Sequence, residues 1–378
     1  MGRNDAGSLF GDALHGGTVI GARVGGARYI LKRKLGRGPW TEVWLAWDVK
    51  FEHEAALKFL ATALVQHPDI AHFLEQETRR SAQLAHPSIA RVYDFVCDHQ
   101  MAAFATEFVD GWSLAALKID RPQKRFSIDE ISLWIGQLCG ALEYAHHEFC
   151  LVHRALRPGN LLLNAREQLK VTDFGIDFLV HGLATEQKLG VHSIFSYFSP
   201  QQISGAEPSV LDDIYSLGAT IYDLVTGTPP FHEGEILAQI REMPAPSMQD
   251  RLASLEIDES IPSAWEETVA ACLAKKPGQR PQTALEVLRG LGKESLRKQA
   301  GVPTSLRNRP SRLEAVAREA VTSIHGFPGR MIREFKSSRP IRAIREWPPL
   351  HGFANIVKRQ ARAASNAVCK ALSSLFRS

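Results

Sequence analysis

Near Asp110 the chain changes period. Between Arg28 and Val109 it reads mostly as strands, in "YILKRKLG", "EVWLAWDV", "AALKFLA", "IARVYDFV" and "MAAFATEFV", with one helical stretch, "DIAHFLEQETRRSAQLA", set among them. From Asp110 onward helical patterns dominate. Strands first and helices after point to an α+β chain. Ser127, followed three residues later by Glu130, makes a capping-box pattern at the head of "SIDEISLWIGQLCGALEYAHHE". Ile131, Trp134, Ile135, Leu138 and Leu142 then share one helical face. "LDDIYSLGATIYDLVTG" is apolar nearly all round, as a helix inside a lobe should be. Gly227, Pro229 and Pro230 form its stop signal.

The chain has 378 residues and is 44% hydrophobic, enough for a sizeable core and for two or three domains or lobes. Residues 1–27 are rich in Gly and Ala and are expected to be flexible. A strand-rich unit is expected over 28–109 and a helical one over 110–292. Around 293–310 the composition turns basic, polar and proline-containing, which reads as a linker before a tail at 311–378. No run of 18 uncharged apolar residues occurs, so no membrane span is expected. The first residues lack a compact apolar stretch, so no secretory signal is read. Cys97, Cys139, Cys150, Cys272 and Cys369 are scattered without metal-like spacing. Unpaired thiols in a reducing, cytoplasmic compartment are the expectation.

The formal net charge of +4 hides an asymmetry. Residues 297–378 carry 17 Lys and Arg against 4 Asp and Glu, while residues 1–296 carry 28 against 37. An acidic body therefore bears a basic tail, which is a statement about the tail's partners and not about the fold.

Several weak signals stand in a fixed order. Gly36 and Gly38 lie between two strand patterns in "LGRGPWTEVWLAWD", where a tight turn would explain them equally well. Lys58 follows in the apolar strand "AALKFL", and Glu77 in the next helix. Alone, either would be an ordinary solvated charge. Next come "VHRALRPGN" with Asn160, "VTDFGI" with Asp173, and the helix that carries Asp213. Taken in sequence these resemble the bacterial serine/threonine protein kinases over roughly residues 28–291. "EFVDGWSL" resembles the hinge, "LAHPSIARVYDF" the strand after the helix, and "KKPGQRP" the late turn that bears Arg280.

The resemblance implies a bilobal fold with a strand-rich N-lobe, a helical C-lobe and nucleotide between them. It implies that Lys58 contacts the α- and β-phosphates of ATP, held by an ion pair with Glu77. Asp173 and Asn160 would ligate Mg²⁺, a cation that prefers oxygen donors. Gly36, Gly38 and Val43, with Thr106, Glu107 and Phe108 at the hinge, complete the implied nucleotide contacts. The glycine loop departs from the pattern. Thr41 stands at the third glycine position, Pro39 has no N–H to offer a phosphate, and Trp40 adds bulk. Nucleotide binding is therefore expected, but loosened.

The acceptor side departs further. Where the family carries an aspartate that accepts the substrate's proton, this chain has Ala155. Arg157 replaces the lysine two residues later, and Ile194 replaces a threonine that would bond to both. An apolar Ile194 beside Ala155 is read as packing. Gln201 stands at the acidic position expected to pair with Arg280, and an amide makes that bond without the help of charge. His153, Arg154 and Gly175 read as scaffold. Asp177 is the nearest substitute base, although a surface or capping role suits it better.

Two amphipathic stretches occupy the tail. Leu313, Val316, Ala320 and Ile324 share one face; Phe353, Ile356, Val357, Ala364, Val368, Leu372 and Leu375 share another, with Lys358, Arg359, Arg362 and Lys370 largely elsewhere. Such helices dock on their own body, lie peripherally on an anionic membrane or fill a protein partner's groove. No motif supports nucleic acid. The leading expectation is a pseudokinase that binds ATP–Mg²⁺ and acts as a regulatory or scaffolding module with an unknown protein partner. The rivals are a weakly active serine/threonine kinase and an interaction domain without nucleotide.

Overall fold

The strand-rich part of the sequence closes into one sheet. The computed structural model describes residues 20–37, 41–60, 68–97, 101–175 and 192–292. Strands β1 (Arg23–Val24), β2 (Tyr29–Arg37), β3 (Thr41–Asp48), β4 (His53–Leu60), β5 (Val92–Cys97) and β6 (Ala102–Glu107) pair antiparallel in the order β1-β2-β3-β4-β6-β5. Alternation sets the faces. Tyr29 and Leu31 of β2, with Ala55, Leu57 and Phe59 of β4, are buried in one cluster with Trp44, Ala103 and Ala105. Lys58, between Leu57 and Phe59, is thereby turned to the opposite face. In register it faces Val43 on β3 and Phe104 on β6. The guanidinium of Arg28 ties the ends of three strands, binding Asp48 at 2.7 Å and Asp94 at 2.6 Å.

Helix α1 (Pro68–Ser81) lies between β4 and β5 in the chain. The sheet starts before Arg28, at β1, because Gly21 N–H donates to the Leu31 carbonyl and Leu31 N–H to the Ala22 carbonyl across that turn. The strand expected from Ile89 begins only at Val92. Ile89 instead bridges Val171 in the second lobe, and Ala90 donates to the Val171 carbonyl at 2.9 Å.

The second lobe begins with β7 (Gly111–Ser113) and α2 (Leu114–Ile119), followed by α3 (Ile128–Phe149). The capping box of α3 is formed as the sequence predicts: Glu130 and Ser127 satisfy each other's backbone N–H. Strands β8 (Leu161–Asn164) and β9 (Leu169–Val171) complete a small sheet in the order β7-β8-β9. Then follow α4 (His192–Phe195), α5 (Pro200–Ile203), α6 (Val210–Thr226), α7 (Ile236–Glu242), α8 (Met248–Ser254), α9 (Ser263–Cys272) and α10 (Ala284–Gly290). The fold is the bilobal α+β arrangement, a curled antiparallel sheet beside a helical lobe.

Helix α6 is buried along its whole length from Asp212 to Thr226. Its Ile214, Leu217, Ile221 and Leu224 share one core with Trp134, Leu138, Trp265 and Val269. Burying each such side chain stabilises the lobe by roughly 1.5–3 kcal/mol. It ends at Gly227, in the left-handed region at φ 88°, where an added Cβ would lie 2.6 Å from the Gln123 carbonyl. Only glycine satisfies both demands.

Among the described residues, Cys97, Cys139, Cys150 and Cys272 form no disulfide. Also among them, no helix is long and apolar enough to cross a membrane. Residues 1–19 of the flexible start expected over 1–27, the linker and amphipathic tail at 293–378, Gly38, Pro39, Trp40 and Asp177 lie outside the described residues.

Candidate functional site

The site forms where the β4 strand of the sheet lobe faces two loops of the helical lobe. The first loop, Val152–Asn160, is anchored from below by α6. Asp213, fully buried, accepts the backbone N–H of His153 at 2.7 Å and of Arg154 at 2.8 Å. It also accepts from His146 Nε2, at the end of α3, at 2.7 Å. Burial pushes this carboxyl up, but the bonds from His146 and His153 outweigh burial and hold it below the usual carboxylate range.

His153 fixes the second loop. Its Nε2 lies 2.9 Å from the Thr172 carbonyl, and its ring packs 4.6 Å from that of Phe174. A carbonyl only accepts, so Nε2 carries the proton. Nδ1 then accepts from Ala155 N–H at 3.3 Å. Gly175 N–H donates to the His153 carbonyl at 3.2 Å. These contacts agree with the scaffold reading of His153.

Asn160 and Asp173 are brought together through Thr172. Thr172 N–H donates to the Asn160 carbonyl at 3.0 Å, and its hydroxyl to Asp173 Oδ2 at 3.3 Å. The Asn160 amide, only 2% exposed, donates to the Ala155 carbonyl at 2.9 Å. Asp173 sits in the left-handed region at φ 65°. Its Oδ2 lies 3.2 Å from Lys58 Nζ, so two of the expected nucleotide-handling side chains meet.

Glu77 does not join them as expected. Its carboxylate pairs with Arg80 Nη1 at 2.9 Å, and Arg154 Nη1 lies 3.5 Å from it. The expected ion pair with Lys58 is replaced, because Lys58 is engaged by Asp173 while α1 presents Glu77 to the buried guanidinium of Arg154. Glu77 also lies over Gly175, where an added Cβ would be 3.0 Å from its Oε2. The Ser81 hydroxyl, one turn on, donates to the Phe174 carbonyl at 2.9 Å. Arg154 is thus more than scaffold: its side chain holds the residue meant for Lys58.

The remaining expected contacts are scattered around the cleft. Val43 is half-buried and pairs in register with Gly36 and with Lys58. At the hinge, the Thr106 hydroxyl donates to the Ala56 carbonyl at 3.4 Å. Glu107 binds Lys170 Nζ at 2.8 Å and accepts from Arg91 N–H at 3.1 Å, so its side chain braces the two lobes. The Phe108 ring lies under the Arg33 guanidinium at 6.0 Å.

On the acceptor side Ala155 is 2% exposed. The Arg157 guanidinium folds against Gly159, where any side chain would collide with it. Ile194 belongs to an apolar cluster with Phe195 and Phe198, packed by Ile203 and by Leu237 of α7. Its packing role is thus organised around α7 and its own neighbours, where the sequence had suggested Ala155. Gln201 meets Arg280 as expected, accepting from Nη2 at 2.6 Å.

Sequence reasoning missed Lys275 beside this pair. Its Nζ donates to the Ile240 carbonyl at 2.7 Å and lies 4.5 Å from the centre of the Phe231 ring. Burial lowers its pKa to about 8, and the neighbouring Arg280 charge adds to that. The "KKPGQRP" stretch marks the turn but does not say which lysine points inward.

Comparison with known proteins agrees with this geometry. The protein kinase domain family matches residues 29–290. The serine/threonine-protein kinase PknB of Mycobacterium leprae is 32% identical over 69% of this chain and 42% of its own length. The serine/threonine-protein kinase PrkC of Bacillus subtilis is 28% identical over 70% of this chain and 40% of its own. The chain spans about two fifths of the length of these relatives. The crystal structure of the Mycobacterium tuberculosis PknI kinase domain superposes with a TM-score of 0.59 at 25% identity, over 74% of this chain and 99% of that one. A match that runs from β2 to the end of α10, across both lobes and the cleft between them, places this chain in the protein kinase family, with bacterial serine/threonine kinases among its homologues.

Proposed function

We propose that this chain is a pseudokinase: it holds ATP–Mg²⁺ in the cleft and acts as a regulatory or scaffolding module for a protein partner. Ala155 carries the reading. At the position where a kinase loop needs a carboxylate, a methyl group is buried, and the loop from Val152 to Asn160 contains no acidic residue. General-base assistance is typically worth ~10²–10⁴ in rate, and no group of this loop can supply it.

The donor set fits the nucleotide. The Asp173 carboxylate and the Asn160 side-chain oxygen are hard donors on two loops that Thr172 joins through the Asn160 main-chain carbonyl, and two protein ligands plus phosphate oxygens suit Mg²⁺. The ion would neutralise phosphate charge when bound. Lys58, 3.2 Å from Asp173, stands where a cation can meet the phosphates. Gly36 keeps an ordinary backbone, and an added Cβ there meets nothing within 4 Å. Packing does not demand glycine at that position, while close approach by a phosphate would. The basic tail supports a further, salt-sensitive association with an acidic partner or an anionic membrane surface.

Calorimetry with ATP–Mg²⁺ and transfer of radiolabelled phosphate, run on the same purified protein, test the reading. Binding without transfer is expected. Robust transfer that Asp173→Ala abolishes would instead establish the weakly active kinase, which the retained Lys58, Asn160 and Asp173 favour as the second reading.

A further inference from the structure

Far from the cleft, Lys275 sits between α9 and α10 with its amine turned toward the end of α7. Its Nζ donates to two successive carbonyls there, Ile240 at 2.7 Å and Gln239 at 3.4 Å. The centre of the Phe231 ring lies 4.5 Å from the same atom, and that of Tyr215 5.9 Å. We propose that Lys275 is a modification site: a nucleophilic amine that takes an acyl group from a small acyl phosphate. Nothing in this requires nucleotide in the cleft.

The acceptor count favours the reactive form. A neutral amine has two N–H groups and one lone pair, whereas an ammonium has three N–H groups and no lone pair. The two α7 carbonyls satisfy both N–H groups of the neutral amine and leave its lone pair unused.

The surrounding charges act in the same direction. The Arg280 guanidinium shares the Tyr215 ring with Lys275, its central carbon 5.1 Å from the ring centre. Gln201 answers Arg280 with an amide, so that positive charge is not cancelled there. Asp212 of α6 has one oxygen on the Ser199 hydroxyl and the other on Ser209 N–H. Tyr215 and Cys272 are buried, and burial holds both protonated and neutral. Arg241 and Glu242, at the end of α7, are exposed. A lysine desolvated beside another cation is an activated nucleophile. Burial first, and Arg280 second, lower the Lys275 pKa to about 8.

Lys275 is half-buried, so a small donor reaches it, and Lys276, exposed beside it, with Arg280 favours an anionic one. The neutral Nζ attacks the acyl carbon. A C–N bond forms, the C–O bond to phosphate breaks, and inorganic phosphate leaves with the electron pair. The surplus proton on nitrogen passes to solvent. The amide product keeps one N–H, so one of the two α7 carbonyls loses its donor. Helix α7 also carries Leu237, which packs on the cluster of Ile194, Phe195 and Phe198. Acylation of Lys275 is thereby coupled to the seating of α7.

Acetyl phosphate on the purified full-length protein is the probe, with acetylation at each lysine read by mass spectrometry. Lys276 is the internal control. An ordinary lysine holds almost no neutral amine at pH 7.5, so Lys275 should react on the order of 10-fold faster than Lys276. Its rate should level off above about pH 8. Gln201→Glu, which sets a carboxylate against Arg280, should slow it. Amide hydrogen exchange across residues 236–242 should quicken once Lys275 is acetylated. Lys275 reacting no faster than Lys276 overturns the proposal. So does an excess at Lys275 that survives unfolding in urea, because the fold would then not be its cause. Unchanged exchange after acetylation overturns the coupling to α7.

Discussion

The Arg280 guanidinium donates to the side-chain oxygen of Gln201 at 2.6 Å, so an amide answers a buried cation. The other donors of Arg280 are also taken by neutral acceptors, the carbonyls of Ala274, Leu211 and Lys275. Two cations, Arg280 and Lys275, thus share a site whose nearby carboxylate is Asp212. Lys275 releases its proton near pH 8 in the folded protein and at its ordinary, higher value when unfolded. Between those values the unfolded chain binds more protons, so this group makes stability rise with pH above about 8. Urea unfolding between pH 7.5 and 10 should show the rise. Gln201→Glu should flatten it, because the new carboxylate favours charged Lys275. A wild-type profile that is flat or falling across this window contradicts the assignment.

Asp213 should be among the most sensitive positions in the helical lobe. Asp213→Asn leaves two backbone amides and His146 with one good acceptor among them, at a cost of about 3 kcal/mol. Because its folded carboxyl lies below the usual range, the stability it contributes is present at neutral pH. That contribution is lost as pH falls through the folded value. Denaturant midpoints of wild type and variant should therefore converge in acid. A variant within 1 kcal/mol of wild type at pH 7 would show that the loop is held by other means.

Saturating ATP–Mg²⁺ should raise the melting temperature of the wild-type protein. A ligand at ~100 times its Kd contributes about 2.7 kcal/mol to the folded state. Lys58→Met and Asp173→Ala should each remove most of that shift. Without nucleotide each also breaks the Lys58–Asp173 ion pair, so the apo proteins should melt below wild type. Melting curves with and without nucleotide separate the two effects.

Restoring chemistry at position 155 should take more than one substitution. Ala155→Asp alone puts a carboxylate into a buried site where Ile194 offers it no hydroxyl, and the Arg157 guanidinium two residues on competes for it as a bidentate partner. Ile194→Thr alone buries a hydroxyl in the cluster of Phe195, Phe198 and Leu237, and should cost about 1–3 kcal/mol. The triple variant with Arg157→Lys should gain more transfer rate than the product of the single changes, since residues that act as a unit are not additive. Initial rates of phosphate transfer, with Asp173→Ala as the blank, measure it. Equal gains from the single and triple changes would count against any cooperation among the three.

What could be read in the sequence was what depends on local pattern. The period change near Asp110, the capping box of Ser127 and Glu130 and the Gly227 stop are each written within a few residues, and the structure shows all three. The meeting of Lys58 and Asp173, and the link of Asn160 to them through Thr172, were accessible through the resemblance, since the order of motifs carries them. The partner of Glu77 was not. Which of two nearby cations a carboxylate chooses depends on the tilt of α1, which no spacing encodes. The burial of Lys275 and the pairing of His146 with Asp213 escaped for a similar reason: both join elements distant in the chain. Ile194 was read as packing, but its partners on α7 lie some forty residues away.

The grip of Asp213 on the loop acts through amide hydrogens, which every residue except proline possesses. Loop shape is thus specified by groups that substitution does not change, while reactivity is specified by side chains that it does. The Ala155 amide, held by His153 Nδ1, would be there with any other non-proline residue in its place. Position 155 can therefore drift in chemistry without drifting in geometry. A lineage that loses the carboxylate keeps a correctly built cleft, which selection is free to use for something other than turnover.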